Sequence, residues 1–267
     1  MPSALPLFRR SVLESWRGLL GWAIGLTAVA LLYLPLFPTF GGANSQFAEL
    51  MDNLPPALVK TLGYEDIVSG AGYTQSTYFG LMAFVLVTIA AVTWGAAAIA
   101  GAEESGSLEL TLAHGVSRTR QVVEAALSLL VRVVALVLLA VLLVLALNGP
   151  SELGLAASNV VAAGAALAGL GLLAGTTSLA VGAATGRNTW ATAGGALVAV
   201  AGYAFNAVAN QAPDVEWLRV LSPYAWAWNG TPLKDGWDLP GLAALWGASL
   251  LLAALAGWAL ERRDLRS

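Results

Sequence analysis

The sequence predicts an all-α, polytopic membrane protein with six transmembrane helices. Hydrophobic residues make up 58% of the 267 residues, charged residues make up 11%, and the mean hydropathy is +0.73. A soluble domain of this size needs far more charge to cover its surface. Apolar runs of about 20 residues recur along the chain, and each is long enough as a helix to cross a ~30 Å hydrocarbon core.

We expect a single membrane domain over residues 1–267. The six spans are predicted at 19–40, 76–100, 121–147, 155–184, 189–210 and 240–260. Before the first span, apolar and basic side chains alternate at helical spacing, with Phe8, Val12, Leu13 and Trp16 opposite Arg9, Arg10 and Arg17. This pattern predicts an interfacial helix within residues 1–18, and an undocked tail is the alternative.

The basic residues predict the orientation. Nine of the 13 lie near the termini or in the 101–120 and 185–188 connections, namely Arg9, Arg10, Arg17, Arg118, Arg120, Arg187, Arg262, Arg263 and Arg266. The positive-inside rule places these segments and both termini in the cytoplasm. Residues 41–75 and 211–239 then form external caps, and the tryptophans of the second cap are typical of a membrane interface.

The segment 101–120 (GAEESGSLELTLAHGVSRTR) is the most polar stretch between two spans. Each charge at the bilayer centre costs roughly 2.5 to 3.5 kcal/mol on the insertion scale. The segment must therefore lie outside the lipid, where it is available to a partner.

The residue inventory excludes several kinds of chemistry. A phosphate-binding loop needs a Gly-rich turn followed by a lysine, and Lys60 and Lys234 are the only lysines, both outside such a context. The chain has no cysteine and a single histidine, His114, which cannot form a typical zinc site alone. No basic stripe suggests nucleic acid. We therefore expect no catalysis, no metal and no cofactor on this chain.

The 101–120 segment resembles the loop after the second span in ABC-2 type transporter permeases. The residues that match in order are Glu103, Glu104, Gly106, Ser107, Leu108, Glu109, Leu110, Leu112, Val116, Ser117 and Arg118. Ser107 replaces the family's threonine, and His114–Gly115 stands where proline is usual. LSPYAWAWNGTPLKDG, from Leu221 to Gly236, and the closing residues 261–265 are similar to the antibiotic and multidrug exporter branch.

The resemblance implies a plasma-membrane permease subunit whose cytoplasmic coupling helix docks into a separate ABC ATPase. ATP and Mg²⁺ would bind to two copies of that ATPase, and a second permease chain, identical or homologous, would complete the usual twelve spans. The coupling residues are predicted to be Glu103, Glu104, Gly106, Leu108, Glu109, Leu112 and Arg118. Leu108 and Leu112, at i and i+4, would offer an apolar face, and Gly115 would end the turn with φ > 0.

Three polar residues within the spans are candidates for the translocation path: Arg132, Asn206 and Asn210. Snorkelling is the alternative for Arg132, as for Glu124 eight residues earlier, and interhelical hydrogen bonding is the alternative for the asparagines. An ATP-independent channel or secondary transporter remains open as another function. A membrane-embedded enzyme would need an acid, base or metal cluster inside the spans, and none is visible.

Overall fold

A computed structural model describes residues 6–40, 67–211 and 213–263, and it contains six helices long and apolar enough to cross a membrane. These spans are Trp16–Thr39, Gly70–Glu104, Arg118–Asn148, Ala157–Thr185, Asn188–Ala209 and Leu239–Arg262. The prediction of six spans is confirmed, and the described residues contain no strand. Most of the cap predicted at 41–75 lies outside the described residues.

A short helix, α1 (Pro6–Glu14), precedes the first span and breaks from it at Ser15. The interfacial helix predicted at 1–18 is therefore too long at its C-terminal end, because Trp16 and Arg17 begin the first span. That span contains a 3₁₀ turn at Leu34–Leu36, where Pro35 has no N–H to continue the α-helical ladder.

The fourth span is the centre of the bundle. Its best apolar window is 83% buried, against 17% for the first and fifth spans and 22% for the sixth. Glycine lets the neighbouring helices approach it closely: a Cβ on Gly95 of the second span would overlap the carbonyl oxygen of Gly175. In contrast, Gly21 of the first span has no atom within 4 Å of such a Cβ. The fold therefore depends on close packing around the fourth span.

The second span is irregular at both ends. Residues Thr74–Ala83 and Ala97–Gly101 are π-helical. The hydroxyl of Tyr224 donates to the carbonyl oxygen of Gly80 at 2.9 Å, within the first of these stretches. A carbonyl bonded outside the helix is compatible with the wider turn.

The segment predicted as the second external cap packs onto the ends of the spans. It contains a 3₁₀ helix (Pro213–Leu221) and two short helices, α8 (Pro223–Trp228) and α9 (Pro232–Asp235). Helices are numbered α1–α10 in chain order, and the six spans are α2, α3, α5, α6, α7 and α10. Trp228 is buried, whereas Trp217 and Trp237 are more than half exposed. The exposed indoles are typical of an interfacial segment.

Candidate functional site: the polar end of the bundle

The segment between the second and third spans folds into a helix of its own. This helix, α4 (Ser107–Ala113), begins after Gly106, which reverses the chain in the left-handed conformation at φ 71°. After His114, Gly115 ends it at φ 84°, and the Ser117 hydroxyl accepts from the Arg120 amide to cap the third span. The predicted role of Gly115 is confirmed, and the missing proline leaves the turn intact because glycine adopts φ > 0 without strain.

Helix α4 has two faces with different environments. Leu108 is fully buried and Leu112 is partly buried, and both pack on a cluster from the second, third, fourth and sixth spans: Ile99, Val122, Leu179, Ala183, Ala256 and Leu260. Leu108 and Leu112 thus share one apolar face of α4, as the sequence predicts, but that face packs on the chain's own spans. The exposed face carries Glu109, Leu110, Ala113 and His114, and 66% of Leu110 is exposed.

An ion pair joins the ends of the second and sixth spans beside α4. The guanidinium of Arg263 donates to Glu103, whose side chain is 5% exposed, and the Arg263 side chain is 17% exposed. Gly186, which ends the fourth span at φ 67°, lies directly over the pair, so that a Cβ there would overlap both charged groups. Glu103, predicted to meet a partner protein, is thus occupied within its own chain.

Two further side chains extend this network. Glu104 is exposed and accepts from the Asn188 amide at 2.8 Å, which caps the start of the fifth span. Arg118 donates to the carbonyl oxygens of Leu260 and Glu261 and, at 2.6 Å, of Arg263. These are the free carbonyls at the end of the sixth span, where a cation is favoured. The network therefore ties the ends of the second, third, fifth and sixth spans together beside α4.

Helix α1 docks on the third span through two charged residues. The carboxylate of Glu124, 1% exposed, accepts from the Phe8 amide at 2.8 Å and from Arg120 Nε at 2.7 Å. Arg132 donates to the carbonyl oxygen of Ser11 at 2.9 Å and to its hydroxyl. A negative charge thus meets the N-terminal turn of α1 and a positive charge meets its C-terminal half, as the helix dipole favours.

We expect the substitution Glu124→Gln to loosen α1, because the amide replaces one accepting oxygen with a donor and removes the charge. The loss is about 2 kcal/mol, as for a hydrogen bond to a charged group. Hydrogen–deuterium exchange of residues 6–14 should rise. Glu216→Gln is the control, since Glu216 forms an exposed pair with Arg219, far from α1; equal exchange in α1 for both variants would contradict the docking role.

The two asparagines predicted for the translocation path have different surroundings. Asn210 accepts from Arg219 at 3.1 Å, which attaches the 3₁₀ helix to the fifth span. The Oδ1 atom of Asn206 is buried without a partner among the described residues. The structure therefore gives Asn210 a structural contact, and the path role of Asn206, Asn210 and Arg132 stays a prediction.

The sequence pattern of the whole chain matches one known family. The model of the ABC-2 family transporter proteins matches residues 5–265. This chain belongs to the ABC-2 transporter family. No curated protein and no solved structure matches it. The match agrees with the six spans, and it makes the chain the membrane component of an ABC transporter.

Several residues of this ABC-2 permease that contact Glu103 or Arg132 could not be singled out from the sequence. In the sequence, Arg263 is one of several arginines near the C-terminus and Gly186 is one of 29 glycines, although the position of Gly186 between an apolar run and Arg187 fits a helix-ending glycine. Ser11 and Trp94, which contact Arg132, gave no signal. Among the described residues, no three His, Cys, Asp or Glu side chains lie together as a metal site.

Proposed function

We propose that this chain is the permease subunit of an ATP-driven exporter, with the exposed face of α4 as the surface that a separate ABC ATPase contacts. The observation that supports this most is that one face of α4 is buried and the other is exposed. Its inner face is fixed to four spans through Leu108, and its outer face presents Glu109 and Leu110. A force applied to the outer face is thereby transmitted to the spans as a unit.

The same surface has the chemistry of a docking site. Glu109 supplies an exposed negative charge, and Leu110 supplies an exposed apolar group one residue later. A basic, partly apolar groove on the ATPase would complement both. Binding of ATP and Mg²⁺ and hydrolysis would take place on that partner, in two copies, and this chain would perform no chemistry.

Two further features support pairing of permeases and an orientation with the termini in the cytoplasm. The first and fifth spans leave most of their apolar surface uncovered, and a second permease chain would cover part of it. The arginines at positions 118, 120, 187, 262 and 263 lie at the end of the bundle that carries α4, as the positive-inside rule requires of a cytoplasmic face in the plasma membrane. The small-residue interior fits a lipophilic or amphipathic cargo.

The substitution Glu109→Lys tests the docking surface. Reversal of an exposed charge should leave folding and membrane insertion intact and weaken the complex with the separate ABC ATPase by about tenfold. Affinity can be measured with both purified proteins in detergent, and ATP-driven transport with both in vesicles.

Asp214→Lys is the matched control, because it makes the same charge change at an exposed position at the opposite end of the bundle. Undiminished assembly and transport with Glu109→Lys, or an equal loss with Asp214→Lys, would refute the assignment of α4. Cargo flux without ATP would instead favour a channel or secondary transporter.

A further inference from the structure

A cavity of about 180 Å³ lies between α1, the second span and the third span. Leucine and alanine side chains form much of its lining, and the polar or aromatic residues that line it are Ser11, Trp94, Gln121, Glu124, Ser128 and Arg132. Water takes about 30 Å³ per molecule in the liquid, so the volume suits several waters or one small polar group. None of the coupling residues lines it.

Three buried polar atoms of residues that line this cavity have no hydrogen-bond partner among the described residues. They are the Gln121 Oε1 atom, the Ser128 hydroxyl and the Arg132 Nε atom, and Ser128 as a whole is only 3% exposed. Unpaired buried polar groups cost about 1 to 3 kcal/mol each, so a polar group that reached these atoms from the cavity would stabilise the arrangement.

The unbalanced charge of the cavity is positive. Both oxygens of Glu124 are already bonded, one to the Phe8 amide and one to Arg120, which compensates its charge. Arg132 has no carboxylate partner among the described residues, and its guanidinium contacts Ser11 and the face of Trp94, 5.6 Å from the ring centroid. A guanidinium with a free Nε matches the oxygens of a phosphate.

The cavity lies beside α1, in the half of the third span that begins at Arg118. Glu124 is six residues into the third span, about 9 Å from its start at Arg118, and the 31-residue span is longer than the hydrocarbon core is thick. Arg132 is about 21 Å from that start, but helical side chains point toward the N-terminus, and its guanidinium reaches back to Ser11 of α1. The charged group therefore lies closer to the membrane surface than its Cα does.

We propose that this cavity binds the phosphate group of an anionic lipid from the leaflet on the α1 side. Arg132 and Ser128 donate to the phosphate oxygens, and the acyl chains leave between α1 and the second span into the bilayer. Free inorganic phosphate has the same oxygens and is the other possible source of the bound phosphate group. The proposal is independent of ATPase coupling, since no residue of α4 takes part.

Calorimetric titration of the purified, delipidated full chain in neutral detergent tests the site with three probes. Short-chain phosphatidylglycerol should bind, and the diacylglycerol with the same chains, which lacks phosphate, should not. Competition by millimolar inorganic phosphate identifies free phosphate as the source, and its failure to compete identifies the lipid. Absence of phosphatidylglycerol and phosphate binding would overturn the proposal.

Variants assign the binding to this cavity. Arg132→Gln should weaken phosphatidylglycerol binding at least about tenfold, and Ser128→Ala, which keeps the contact of Arg132 with Ser11, about threefold. Arg17→Gln is the control, because Arg17 is an exposed arginine near the start of the first span. An equal loss with Arg17→Gln, or no effect of Ser128→Ala, would place the lipid elsewhere and overturn the site.

Discussion

Replacement of Gly95 with alanine is expected to lower the free energy of unfolding by about 3 kcal/mol, at the upper end of the range for overpacked cores. A Cβ on Gly95 would overlap the carbonyl oxygen of Gly175 and lie 3.1 Å from the Ser178 Cβ. The overlapping atom belongs to a helix backbone and cannot rotate away. The second and fourth spans would have to separate and lose packing at the most buried part of the bundle.

Gly247→Ala is the matched control, because Gly247 is also inside a span and no atom lies within 4 Å of its Cβ position. Alanine favours a helix by up to about 1 kcal/mol over glycine, so this variant should be neutral or slightly stabilised. Unfolding in mixed micelles with increasing dodecyl sulfate measures both. If both variants unfold at the same dodecyl sulfate fraction, the close contact of the second and fourth spans at Gly95 does not contribute to stability as expected.

Features that depend on local sequence could be predicted here. Transmembrane helices satisfy their backbone hydrogen bonds internally and require only a long apolar run, so all six were found, with ends displaced by a few residues. Gly115 was predicted for a similar reason, because a left-handed turn after a short helix requires a particular backbone conformation.

Features that depend on contacts between distant residues could not be predicted. Leu108 and Leu112 give the same amphipathic pattern whether their face packs on a partner or on the chain's own spans. Glu103 is turned inward by Arg263, 160 residues away, and no local pattern encodes that pair. The first π-helical stretch of the second span contains a tertiary contact, between Tyr224 and Gly80, which no local pattern predicts.

Neutralising either member of the Glu103–Arg263 pair is expected to cost about 3 kcal/mol of unfolding free energy, because the remaining charge stays buried without a partner. Glu103→Gln and Arg263→Gln keep the size of each side chain nearly constant. The double variant should recover part of the loss, with a coupling energy of about 1 to 3 kcal/mol between two residues in contact. The free energy of unfolding is measured in mixed micelles for the unchanged protein, the two single variants and the double variant, which completes the double-mutant cycle.

The same cycle separates two roles for Glu103. If its carboxylate holds the ends of the second and sixth spans together, Glu103→Gln lowers stability, and Arg263→Gln lowers it equally, with or without the ATPase. If it instead contacts the ATPase, Glu103→Gln weakens the complex while the isolated permease keeps its stability, and Arg263→Gln has no matching effect. The burial of both side chains and the backbone of Gly186 above them favour the first outcome. In that case Glu109 supplies the charge that the ATPase contacts, and Glu103 fixes the helix ends on which α4 rests.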